Sequence, residues 1–373
     1  MTNAERMFAA IRRQPIDRVP FATYNFHPFS AEHANDPSYA ELLELVTARA
    51  GMLCKAHAVA RPAEPQQWGT IDVTSEDLPT QAITRRTLHT PKGDLTSVTV
   101  KPADQPALVT EHFIKTDADI DRYMSLPHVP ATYDVAPLAR LSDKLAGRGL
   151  LYVGYDDAMY AAASLFDFND FAIRCHTDIG AVKRFVDFHF ERVRDNVRRL
   201  VTACRGLPAL FYTAGPELCT PPMTSPAVFA ALVTPYQRQL IEIIHDAGLA
   251  AAIHCHGRVR SILEEVLETG ADVLEPIEPP PQGDITLAEY GLLDCFGRAV
   301  AQQFAAVDIS DQTYLAAVLT LDLADVHTRN GLDRIDRVRT CLDDHIENRP
   351  EIAVTVLDAV GTFLANYIDH AFQ

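Results

Sequence analysis

Residues 250–278, AAAIHCHGRVRSILEEVLETGADVLEPIE, constrain this chain more than any other stretch. Small and apolar residues lead into His254-Cys255-His256-Gly257, an amphipathic run follows, and a second apolar run, 271–274, ends at Glu275 and Glu278. That is the pattern of strand, helix and strand, with polar residues at the end of each strand, and two strands so joined pair in parallel. Side chains alternate along a strand, so His254 and His256 point the same way while Cys255 points into a core. Two imidazoles on one side of a strand end can share a metal ion. Glu278 is placed at the end of the next strand to supply a third ligand, with Glu275 as the substitute. Gly257 suits a tight turn or open space for a ligand.

The rest of the chain repeats this alternation. Periodicity and caps predict helices over 3–14, 39–50, 135–146, 166–175, 178–203 and 237–247, with another opening at Ser225-Pro226. Apolar strands are predicted after Val19-Pro20-Phe21 and over 150–154 and 209–213. Strands alternating with helices argue for a parallel α/β fold, and 373 residues fit a single α/β barrel with insertions. One domain spanning 1–373 is expected. No GxGxxG follows the first strand, so a dinucleotide-binding fold has no fingerprint here. The stretch 61–109 breaks the pattern with Thr, Pro, Gly and alternating residues. Turn chemistry at Thr90-Pro91-Lys92-Gly93-Asp94 makes it a β-rich insert, an antiparallel hairpin with Trp68 as its packing anchor. Beyond 285, helices are predicted at 287–290, 314–323, 332–346 and 352–371, with a strand near 298–304.

Strand ends nominate further residues. Glu217 follows Gly215-Pro216 at the end of 209–213 and suits a ligand, a general acid or base, or a partner for an imidazole. Asp156 and Asp157 end 150–154 and suit substrate binding or capping of the next helix. Tyr24, Asn25 and His27 follow the first strand, where a substrate pocket would open. Catalysis is assigned to Glu217 and Asp156, and substrate contact to Tyr24, Asn25, His27 and Asp157.

A net charge of −17 argues against nucleic acid and against an anionic membrane surface as partners. The seven cysteines include no CxxC pair, the first residues, TNAERMFAAIRRQ after Met1, are polar and helical rather than a signal peptide, and no apolar run reaches membrane length. A soluble cytoplasmic protein with reduced thiols is expected, and a homodimer is compatible with the sequence.

Short motifs in consistent order carry a resemblance. They are Glu5-Arg6 with Asp17-Arg18-Val19-Pro20, Thr90-Pro91-Lys92-Gly93, Ile114-Lys115-Thr116-Asp117, Thr224-Ser225-Pro226, Pro235-Tyr236 and Ala271-Asp272-Val273-Leu274-Glu275-Pro276-Ile277-Glu278. With these the chain resembles the uroporphyrinogen decarboxylase superfamily, which includes zinc-dependent, corrinoid-linked methyltransferases. The resemblance implies a (β/α)8 TIM barrel, here with an inserted antiparallel hairpin and an N-terminal helical extension, and a site at the C-terminal strand ends.

The departures from that family bear on function. Its decarboxylases carry an Arg-rich segment after the first strand and a Phe-Ser-Asp segment. This chain reads Thr23-Tyr24-Asn25-Phe26-His27-Pro28 at the first and lacks the second. The methyltransferase branch has His-x-Cys where this chain has His254-Cys255-His256, and a late Cys ligand that Cys341, in a charged helical run, does not suit. Cobalamin-independent methionine synthases resemble this region too and place a Glu ligand on the next strand. The expectation is a metal-dependent methyltransferase or demethylase. His254 and His256 would hold Zn2+ with Glu278 or Glu217 completing the ligands, and a corrinoid on a partner protein would exchange the methyl group with a small substrate. The alternatives are a metal-free decarboxylase acting on a small carboxylic acid, and a ligand-binding barrel without catalysis.

Overall fold

The computed structural model describes residues 1–62 and 71–285. In chain order the strands are β1 (Ala22–Tyr24), β2 (Gly51–Ala56), β3 (Val59–Pro62), β4 (Ile71–Leu78), β5 (Gln81–Thr90) and β6 (Gly93–Pro102). They continue as β7 (Leu108–Glu111), β8 (Ala131–Asp134), β9 (Gly149–Gly154), β10 (Ala209–Thr213), β11 (Ala250–His254) and β12 (Val273–Glu275). The predicted elements beyond 285, Cys341 and Trp68 lie outside the described residues.

Six strands form one curled sheet in the order β1-β2-β9-β10-β11-β12, and every neighbouring pair is parallel. Parallel neighbours need crossovers, and helices such as Ala40–Arg49, Ile179–Ala203 and Thr234–Asp246 supply them. Each new strand joins the same growing edge. The order never reverses, as it must in a doubly wound sheet, so this is the progression of a barrel wall. Among the described residues β1 and β12 remain the two edges. Gly149 is required by the β2–β9 pairing, since a Cβ there would lie 1.9 Å from the Met52 carbonyl oxygen.

The two faces of the sheet bury different sets. Met52, Cys54, Leu151, Val153, Phe211 and Ile253 pack outward against the helices in the larger core. Ala22, Tyr24, Leu53, Leu150, Tyr152, Leu210, Ala250 and Ala252 point inward. The inner face is closed at the bottom by the helix Asn3–Ile11, which contributes Ala4 and Met7. Thr2 and Glu5 form a capping box at its start. Asn3 Nδ2 donates to the Ala50 carbonyl (3.1 Å), the Ala4 amide to Gly147 (3.0 Å) and Arg12 to Gly248 (3.3 Å). Those acceptors precede β2, β9 and β11, so the helix lies across the N-terminal strand ends and leaves the C-terminal ends open.

The insert is larger than a hairpin. The expected pair is β5–β6, in register from Gln81↔Pro102 to Thr90↔Gly93, with Pro91-Lys92 as its turn and Gly93 at a φ of 118° that favours glycine. It forms the middle of a four-stranded antiparallel sheet, β4-β5-β6-β7. Leu88 and Leu95 are buried in it, whereas β4 is exposed along its whole length. No helix among the described residues is long and apolar enough to cross a membrane.

Candidate metal centre

The register of β11 with β12 builds the site. His254 and Glu275 are partners across the two strands, and His254 Nδ1 lies 2.6 Å from Glu275 Oε1. The Tyr152 hydroxyl donates to that same oxygen from β9. Just past the strands, His256 Nδ1 lies 2.9 Å from Glu278 Oε1, and the Gly257 amide donates to Glu278 Oε2 at 2.8 Å. Gly257 has a φ of 94°, which is what this loop requires of it; a Cβ there would meet the Pro221 carbonyl oxygen at 3.7 Å and Thr220 Cγ2 at 3.8 Å, ordinary contacts. With Nδ1 turned to the carboxylate behind it, each ring directs its Nε2 forward, where it can serve as a ligand atom.

The two Nε2 atoms face Glu217 Oε1 at 3.3 and 3.9 Å. Glu217 belongs to a 3-10 turn, Gly215–Cys219, directly after β10. One ligand atom from each of Glu217, His254 and His256 lies within 4.8 Å of the others. Glu217 Oε1 is buried and accepts no hydrogen bond among the described residues. Three ligand atoms that converge in this way can be joined by a cation, so the residues present fit a metal ion. Two imidazoles and a carboxylate suit Zn2+, and a carboxylate behind each imidazole is the usual support of a zinc ligand.

The titration behaviour follows the same layout. Burial raises the Glu217 pKa, partly offset by the charges of His254 and His256. Burial opposes ionisation of Glu278 too, but its bonds to His256 and Gly257 outweigh that and its pKa is lowered. His256 is lowered by burial and raised more by its bond to Glu278 and by the surrounding carboxylates, so its pKa is raised overall.

The geometry reorders the predicted ligands. Glu278 stands behind His256 with both oxygens engaged, and of the two acids expected as third ligand it is Glu217 that faces the Nε2 atoms. Glu275 stands behind His254. Cys255 is buried, with its thiol 2.8 Å from Thr220 Oγ1. Tyr24 is on the inner face, its ring nearly parallel to His254 with centroids 6.4 Å apart. Asn25 follows it at a φ of 53°, a conformation Asn tolerates better than most residues. His27 is turned into a buried ring cluster with Phe29 and His33, and burial lowers its pKa to about 4.

Asp156 is exposed past the end of β9. Asp157 is buried, caps the helix Ala158–Ala163 through the Tyr160 amide (2.5 Å) and accepts a hydrogen bond from Gln237. Burial, partly offset by those bonds, pushes its pKa up to about 6. Gly215 packs on it so closely that a Cβ would meet the Asp157 Cβ at 2.4 Å, so Asp157 seats the turn carrying Glu217 as well as capping its own helix.

The sequence reading missed Tyr152 and Tyr212, stacked with centroids 3.9 Å apart on the inner face, and Lys55 on β2. Alternation along β9 and β10 carried the signal for the tyrosines; β2 itself went unpredicted.

No protein-family model matches the chain, and no curated protein matches its sequence. Among solved structures, a methyltransferase from Methanosarcina mazei aligns with a TM-score of 0.41 and 13% identity, over 74% of this chain and 75% of that one. A likeness of that size carries no weight for function.

Proposed function

We propose that this chain is a metal-dependent methyltransferase or demethylase that moves a methyl group between a small substrate and a corrinoid held by a separate protein. One observation supports it above the rest: Glu217 Oε1, buried and without a hydrogen bond, faces two imidazole nitrogens whose rings are each fixed from behind by a glutamate. Zn2+ bound there would supply Lewis acidity, favouring the thiolate of a thiol or the departure of a methyl group from an ether oxygen. His254 and His256 offer Nε2, and Glu217 offers Oε1. Glu275 with Tyr152, and Glu278 with Gly257, engage the Nδ1 atoms and so hold the ring orientations. The motif resemblance adds the methyl chemistry and the corrinoid partner. It also adds the closed (β/α)8 barrel, of which six parallel strands are described, and a cytoplasmic setting suits the five cysteines of the described residues, all buried and free.

The test is elemental analysis of the purified full-length protein. Stoichiometric zinc is expected, and its loss in His254→Ala with the circular dichroism unchanged. Protein that holds no metal, and neither binds nor is stabilised by added zinc, would sink the proposal. Methyl transfer that proceeds with no corrinoid protein present would remove the partner from it.

A further inference from the structure

Lys55 is the only Lys or Arg within the six strands of the central sheet. It sits near the C-terminal end of β2, half-buried between buried Cys54 and Ala56. Alternation places it on the inner face with Leu53, beside its register partner Tyr152. Its ammonium stands 4.5 Å from the centre of the Tyr24 ring, and that ring is 6.4 Å from the His254 ring. Together those two steps set the upper limit on the separation of the ammonium from the His254 ring, within the reach of a small metabolite.

Among the described residues no carboxylate pairs with Lys55. The acids nearest the centre are already engaged: Glu275 by His254 and Tyr152, Glu278 by His256 and Gly257, while Glu217 faces the imidazoles. A half-buried ammonium on an aromatic face keeps part of its stabilisation from the ring but lacks the anion such groups ordinarily find.

We propose that Lys55 recognises a carboxylate on the substrate, so that the substrate class is a small thiol or methyl ether bearing a carboxylate a few atoms from its reacting heteroatom. This rests on reading Glu217, His254 and His256 as the metal centre. The heteroatom faces that centre, the carboxylate pairs with Lys55, and the Tyr24 ring lies along the carbon chain between them. Neutral analogues leave the ammonium unpaired.

The test is calorimetric titration of cobalt-loaded full-length protein with 3-mercaptopropionate and with neutral 3-mercapto-1-propanol. The carboxylate is expected to bind about tenfold more tightly, the usual scale of one charge-assisted hydrogen bond. In Lys55→Met that advantage disappears while cobalt content and binding of the neutral thiol are unchanged; Lys55→Arg keeps part of it. Equal binding of the two thiols by the unmodified protein, or a preference that survives in Lys55→Met, overturns the proposal. If cobalt is not taken up, the metal reading fails by itself, and butyrate is compared with butan-1-ol on the metal-free protein. A carboxylate preference that Lys55→Met abolishes then sustains the role of Lys55, and its absence removes it.

Discussion

The outer face of the parallel sheet is largely apolar, with Met52, Cys54, Leu151, Val153, Phe211 and Ile253 all under helices. The inner face is graded. At the N-terminal strand ends Leu150, Leu210 and Ala250 lie beneath the helix Asn3–Ile11, and at the C-terminal ends Tyr24, Lys55, Tyr152, Tyr212, His254 and Glu275 take over. Strands of a parallel sheet are buried on both faces and read as nearly continuous apolar runs. Polar residues within them therefore mark where stability has been relaxed for chemistry. Adjacent residues of β10 test this most sharply. Phe211→Ala, on the outer face, is expected to cost about 3–5 kcal/mol through lost burial and a cavity. Tyr212→Phe, on the inner face, keeps its stacking on Tyr152 and should cost about 0.5 kcal/mol or less. Urea unfolding measures both, and a Tyr212→Phe loss near that of Phe211→Ala would break the contrast between the faces.

The inner face also separates a front from a back around the two imidazoles. Removing a group behind a ring loosens the ring; removing one in front deletes a ligand atom. Glu275→Gln and Glu278→Gln are expected to lower zinc affinity about 10- to 100-fold, the usual effect of losing support behind a ligand. Glu217→Ala should exceed both. Competition with a chelating dye gives the three affinities. A Glu278→Gln loss larger than that of Glu217→Ala would return the ligand role to Glu278.

Legibility in the sequence followed local punctuation. β10 is predicted over 209–213 and a strand from Ala250 through the histidines because small or apolar residues lead into polar ones; β11 itself ends at His254. β2 was missed because Gly51–Ala56 follows the helix Ala40–Arg49 without a turn signal and carries a lysine. The hairpin was seen and its outer strands were not: β4 is exposed throughout, so burial imposes no pattern on it. The His-x-His pair was legible in the sequence, although only His254 lies on the strand and His256 follows it in the loop. The order of the acids was not. Glu217 reaches the front through a 3-10 turn seated on Asp157, and Glu278 reaches the back through the turn at Gly257, contacts that only the assembled strand ends create.

Two buried titratable groups sharpen the comparison at the smallest scale, because they act oppositely over one pH range. The pKa of Asp157 is raised from 3.8 to about 6, so its contribution is fully present below pH 4 and is lost as the pH rises through 6. The pKa of His27 is lowered from 6.5 to about 4, so its contribution is present above pH 6.5 and is lost as the pH falls through 4. Each shift corresponds to roughly 3 kcal/mol, and between pH 4 and 6 the two slopes largely cancel. Asp157→Asn keeps the cap on the Tyr160 amide, and a turn of the Gln237 amide restores the second bond. That variant should be more stable than the unmodified protein at pH 8 and should lose stability on acidification. His27→Phe keeps an aromatic ring beside Phe29 and should instead gain stability as the pH falls from 6.5 to 4. Thermal unfolding from pH 4 to 8 follows both. Slopes of the same sign in the two variants would show that burial does not set these titrations, and with it would go the account of Asp157 as the buried seat of the Glu217 turn.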